Sequence, residues 1–189
     1  IAWGAFKGCS ALENLDLSTS NIENIQSYAF SECTSLSSVK FPSSLRQIYG
    51  NAFSQNSALQ AVTFNDGLDG IGGSAFSNTG LTTVTLPNSL TYLGSSAFSS
   101  CKDLASISIG TGITEIPYNC FSGCNALTSV DLPEHVTSIG GSAYSYCNGL
   151  VSITLPSSIQ AVGASAFANC SNLEEVVIPD NVTTLGTGA

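Results

Sequence analysis

The feature that most constrains this chain is its repeat. Aromatic residues recur at Phe6, Phe30, Phe53, Phe76, Phe98, Phe121, Tyr144 and Phe167, with successive spacings of 24, 23, 23, 22, 23, 23 and 23 residues. Self-similarity at a fixed period of this size specifies a solenoid, because a unit so short can bury its apolar face only against its neighbours. Residues 166–186 display the unit in full: Ala166, Phe167, Cys170, Leu173, Val176, Ile178, Pro179, Val182, Leu185 and Gly186.

Within each unit, segments such as Val39-Lys40-Phe41 and Val130-Asp131-Leu132 alternate apolar and polar residues, the pattern of a half-buried strand. Copies one coil apart must pair in parallel, which predicts one long parallel sheet on one face. Pro42, Pro87, Pro133, Pro156 and Pro179 follow that strand, where a missing N–H is tolerated. A second short extended piece comes next, at 45–48, 90–93 or 136–139, and closes on Gly72, Gly94, Gly140, Gly163 or Gly186. These glycines are expected to supply an unusual φ at a chain reversal. The Ser-Ala-Phe-Ser type segment after them has the length of one helical or 3₁₀ turn. An extra residue around 18–21 predicts a small bulge, and a missing one between Thr79 and Leu81 predicts a tightened corner.

The expected architecture is therefore a solenoid of about eight coils of 23 residues, in a single domain over 1–189. Its parallel sheet lies on one face, with short second strands and helical or 3₁₀ turns at the corners. The chain starts and stops inside the repeat with no polar capping unit, so it is expected to be a segment of a longer protein.

Only 9% of residues are charged, against roughly 25% in ordinary globular domains, which leaves the surface to Ser, Thr, Asn and Gly. Four basic residues against thirteen acidic ones give a net charge of -9, and phosphate backbones need clustered Lys and Arg, so nucleic acid is not an expected partner. The longest apolar runs fall far short of the roughly 20 residues that span a bilayer.

Cys9, Cys33, Cys101, Cys124, Cys147 and Cys170 all stand three residues after an aromatic anchor, with Asn56 and Thr79 replacing cysteine in the same column. Buried thiols acting as small apolar groups account for that column. Disulfides between stacked coils are a second reading, although parallel side chains rarely give the required dihedral. Zinc is a third, with Cys120 and Cys124 the one close pair and His135 the sole histidine. No metal or other cofactor is expected.

The units "SLSSVKFPSSLRQIYGNAFSQN", "ALTSVDLPEHVTSIGGSAYSYC" and "GLVSITLPSSIQAVGASAFANC" resemble the BspA-like class of leucine-rich repeats of bacterial and protozoan surface proteins. The resemblance covers the whole chain, and the first repeat departs most, with Ser18 in place of the proline. It implies a leucine-rich repeat solenoid in a secreted or surface-attached protein used for adhesion and protein binding, and it carries over no catalytic residue.

The residues themselves assemble no catalytic set. A Ser-His-acid arrangement has only His135 to draw on, in a column otherwise holding Ser44, Gly67, Ser89, Gly112, Ser158 and Asn181, read as solvent-facing. Glu174 and Glu175 are consecutive, and consecutive strand residues point to opposite faces. Asn65, Asp66 and Asp69 offer oxygen ligands near a turn, but their spacing matches no calcium loop and turn chemistry explains them. Asn169-Cys170-Ser171 and Asn181-Val182-Thr183 fit the glycosylation acceptor pattern.

The outward strand columns are the candidate partner-binding face. One holds Asp16, Lys40, Thr63, Thr85, Ser108, Asp131 and Thr154, and beside it run Ser38, Thr83, Ser106, Ser129 and Ser152. At about 4.8 Å per strand the face is roughly 35 to 40 Å wide, ample for a protein or glycan ligand. The expected function is a non-catalytic binding or adhesion module at the cell surface or outside the cell. Hydroxyl ladders are also simply good strand surface, so a structural spacer and an intracellular scaffold are the alternatives. Ice binding would need more clean outward threonine pairs than Thr83 and Thr85.

Overall fold

A computed structural model describes residues 1–189. Each coil carries two strand columns. The first column holds β1 (Asn14–Asp16), β3 (Ser38–Lys40), β6 (Thr83–Thr85), β8 (Ser106–Ser108), β10 (Ser129–Asp131), β12 (Ser152–Thr154) and β14 (Glu175–Val176). The second holds β2 (Asn24–Ile25), β4 (Gln47–Ile48), β5 (Gly70–Ile71), β7 (Tyr92–Leu93), β9 (Glu115–Ile116), β11 (Ser138–Ile139), β13 (Ala161–Val162) and β15 (Thr184–Leu185). Every pairing is parallel and joins equivalent residues one coil apart, such as Val130↔Ile153 and Ile139↔Val162. The period thus specifies the register, and seven turns separate the eight anchors.

The single long sheet expected from the sequence is not what forms. The first column pairs in three pieces, β1–β3, β6–β8 and β10–β12–β14, with an isolated bridge from Ser38 to Ala61. The second column forms two longer ladders, β2–β4–β5–β7 and β9–β11–β13–β15.

Inside the coils lies one cluster of 45 buried apolar residues. Its spine is the aromatic column, whose rings stack from Phe6 to Phe167 with centroids 5.1–5.8 Å apart and planes within 18° of parallel. Burying each interior ring contributes roughly 1.5–3 kcal/mol by area.

The corner that delivers these rings is neither α-helix nor 3₁₀, which corrects the expectation. It is a run of turns in which alternate N–H groups leave the coil. Tyr28, Phe30 and Glu32 donate to the carbonyls of Gly50, Ala52 and Ser54 in the next coil, while Ala29 and Ser31 between them close turns onto Gln26 and Tyr28. A helix would direct all these donors inward along its own axis, and the stacked coil would lose the ladder. The geometry requires two left-handed residues per corner, four apart. Thirteen non-glycine residues and four glycines have positive φ, and all fall in those two columns, among them Asn51 and Gln55, Ser74 and Asn78, Ser142 and Tyr146. Each non-glycine residue there costs roughly 1–2 kcal/mol, offset at all but Asn169 in the last coil by the inter-coil bond that its own N–H makes.

The glycines that close the second strand have another job than the one expected. Gly72, Gly94, Gly140, Gly163 and Gly186 do not have positive φ. A Cβ on any of them would stand 2.3–2.6 Å from the backbone of the preceding coil, so glycine is needed for close approach. At the two irregular repeats, Ser18 and Ser20 make a hydrogen-bonded turn onto Asp16 and Leu17, and Gly80 is pressed so near Ser57 that a Cβ would meet its carbonyl oxygen at 2.4 Å.

Candidate functional site

The strand-face residues stand where the sequence places them, outward on the first column. All are exposed except Ser38, which is half-buried. Pairing sets Asp16 beside Lys40, Thr83 beside Ser106, Thr85 beside Ser108, Ser129 beside Ser152 and Asp131 beside Thr154. It does not extend the face into one surface, since Thr63 lies outside any strand and β8 is not paired with β10. Asp16 and Lys40 are committed to one another at 3.1 Å. The Ser18 hydroxyl and N–H, together with Lys40, hold the Asp16 carboxyl down at about 2. The other ten candidates, from Ser38 and Thr63 to Ser152 and Thr154, make no side-chain hydrogen bond within the chain.

The His135 column behaves differently, and this corrects its reading as a free, solvent-facing one. Ser44, Ser89 and Ser158 donate to the carbonyls of Ile22, Leu68 and Val136 in the preceding coil at 2.6–2.9 Å. His135 is half-buried and Nε2–H donates to the Gly110 carbonyl at 3.1 Å, and Asn181 donates to Ser157 at 2.8 Å. The column is a set of clips between coils. Asn65 likewise uses its amide nitrogen on Ser43 and Leu45. Of the two sequons, Asn169 is exposed and Asn181 has its amide engaged.

All seven cysteines are free. Five do more than fill space: the thiols of Cys33, Cys101, Cys124, Cys147 and Cys170 donate to the carbonyls of Phe6, Phe76, Phe98, Phe121 and Tyr144, the anchors of the preceding coil, at 3.1–3.3 Å. Burial pushes the Cys33, Cys101, Cys120, Cys124 and Cys170 thiols up and raises Cys147 to about 12. They act as protonated donors, the opposite of the lowered thiolate that a nucleophilic cysteine needs. Thr79 substitutes by donating to its own anchor, Phe76, at 3.0 Å. Asn56 does not, and both its amide atoms are buried without a partner.

One cleft was missed by reasoning from sequence. In the second column, the residue after each strand donates its N–H to the preceding coil: Tyr49 to Ile25, Gly72 to Ile48, Gly94 to Ile71, Gly140 to Ile116. Pro117 occupies this position after β9 and has no N–H, and its ring stands where neighbouring coils have glycine. The ladder splits there. β7 and β9 are unpaired, and the bond equivalent to Thr137 N–H to Thr114 O, from Thr114 to Thr91, is also missing. A cleft of about 450 Å³ opens, lined by Thr91, Tyr92, Leu93, Ile113, Glu115, Pro117 and Tyr118 among others. Both tyrosines are 59% exposed. A proline in a column of glycines was the available signal.

Parallel strand columns, a stacked interior and a period near 23 residues define a leucine-rich repeat solenoid. The chain belongs to the BspA-type leucine-rich repeat family, whose repeat region matches it in six copies over residues 1–105 and 70–189. It is similar in structure to a leucine-rich repeat protein of Bacteroides ovatus, with 29% identity and a TM-score of 0.93 over 98% of this chain and 48% of that one. A leucine-rich repeat protein of T. pallidum shares 32% identity at a TM-score of 0.72, over 79% of this chain and 70% of its own. A leucine-rich cell surface protein of Faecalibacterium prausnitzii shares 27% identity at a TM-score of 0.59, over 90% and 61%. The chain thus spans about half the length of the Bacteroides relative. No curated protein matches it. No helix is long and apolar enough to cross a membrane.

Proposed function

We propose that the chain is a non-catalytic adhesion module of a cell-surface or secreted protein, and that its first strand column binds a protein or glycan ligand. The observation that carries the reading is the contrast among hydroxyls. Those of the Ser44, Ser89 and Ser158 column clip coils together, whereas Thr83, Thr85, Ser106, Ser108, Ser129, Asp131, Ser152 and Thr154 are exposed, paired into fixed rows by their strands, and free of intramolecular hydrogen bonds. Rows of rigidly spaced donors and acceptors on a preorganised backbone suit a polar partner, because little side-chain ordering is left to oppose binding. The cell surface follows the Faecalibacterium relative.

The test is a variant with Thr85, Ser108, Asp131 and Thr154 all replaced by lysine, screened beside the native chain on glycan and protein arrays. Ligands captured by the native chain should be lost by the folded variant. Undiminished capture by a folded variant overturns the assignment of this face.

A further inference from the structure

We propose that the split between β7 and β9 is a binding slot for a primary ammonium group, the side chain of a lysine on a partner protein or peptide. The reading goes beyond the strand face and uses none of its residues. Pro117 creates the slot and also sets its chemistry. Losing two inter-coil bonds leaves the carbonyls of Thr91 and Leu93 without the N–H groups their counterparts accept, so two main-chain acceptors border one opening. Glu115 lines the same opening and forms no ion pair, and no lysine or arginine lines it.

The slot is therefore rich in acceptors and carries a net negative charge. An ammonium group offers three N–H donors, matching two carbonyls and a carboxylate. Tyr92 and Tyr118 line the slot and are exposed, and the face of an exposed aromatic ring draws a cation by its quadrupole. The Tyr118 ring lies beside Gly141 of the following coil, where a Cβ would stand 3.4 Å from Cδ2. The same rings and Pro117 give a four-carbon stem an apolar surface to lie along. A chain of net charge -9 draws cations in by its overall field. A neutral saccharide would use the rings and could donate hydroxyls to the carbonyls, but it would leave the Glu115 charge unneutralised.

The experiment is calorimetric titration of the 189-residue chain, at low salt, with an acetyl-capped, amidated penta-lysine peptide. The same peptide acetylated on every side chain and maltopentaose serve as the other titrants. Only the cationic peptide should bind. Glu115→Gln should weaken it about tenfold and Tyr92→Ala about threefold, while Glu174→Gln, a charge loss on another exposed surface, leaves affinity unchanged. Pro117→Gly restores the N–H and removes the ring, so the ladder closes; binding should be lost while the melting temperature holds or rises. Equal affinity in Pro117→Gly, equal weakening by Glu174→Gln and Glu115→Gln, or binding of the acetylated peptide or the saccharide would overturn the proposal. Pro117→Gly leaves the strand face intact, so array capture by that face survives in the variant and the two readings fail separately.

Discussion

At the level of Pro117 two parts of the same coil behave in opposite ways. The second-strand ladder breaks between Leu93 and Ile116, yet a few residues on the aromatic corner continues unchanged, with Ser96 donating to Tyr118, Phe98 to Cys120 and Ser100 to Ser122. The corner has the costlier backbone, with its two left-handed residues per coil, and is nevertheless the part without interruption. Its bonds come from every second N–H and its rings stack in one file, so neighbouring coils enforce one another. The strands are only two or three residues long and their ladders stop wherever one residue departs. Continuity of the solenoid resides in the corner, and the strand columns are free to vary.

The contrast is broken or sharpened most directly by truncating one residue of each kind. Phe98→Ala removes an interior ring of the buried stack and should cost about 3–5 kcal/mol, whereas Thr85→Ala on the exposed strand face should stay within about 0.5 kcal/mol. Equal shifts in denaturant midpoint would remove the distinction. A smaller effect of opposite sign is expected inside the corner. Asn56→Cys replaces a buried, unpartnered amide by the side chain that donates to the anchor carbonyl in five other coils, and should raise stability by about 1–3 kcal/mol; a lower midpoint would refute that account of the column.

The smallest effect belongs to the strand face. Asp16 has its carboxyl lowered from 3.8 to about 2 by Ser18 and Lys40. A carboxylate favoured in the folded state contributes stability above its ordinary value, and that contribution disappears as pH falls through about 2. Followed by NMR, Asp16 should titrate near 2 in the native chain and return toward ordinary aspartate in Ser18→Ala. A midpoint unmoved by that change would show that the bulge at 18–20 does not hold the carboxylate.

The solenoid and its register were legible in the sequence because both follow from period alone: Phe30, Phe53 and Phe76 can stack only if equivalent residues align. The strand face was legible for the same reason, since alternation at Val130-Asp131-Leu132 decides which side chain points out. What could not be read was the direction of hydrogen bonds. A Ser-Ala-Phe-Ser segment is as compatible with a helical turn as with a corner whose donors cross to the next coil, and only the presence of that coil decides. Gly94 and Gly163 were visible as glycines, but the reason for them is a neighbouring backbone that the local sequence does not contain. The cleft beside Pro117 was hidden in a subtler way, because a repeat reading averages over columns and the cleft exists where one column fails.

The bonds between coils run from each coil to the next, so tension applied along the stack would load them directly and separate coils one at a time. At the level of Leu93 and Ile116 the second column contributes no bond, and the two coils are held there by the aromatic corner and by β6–β8. Stretched as a tether, the molecule would part first in its interrupted strand columns and last along the corner, and a ligand bridging the gap beside Pro117 would act as a catch that raises the force needed to open it.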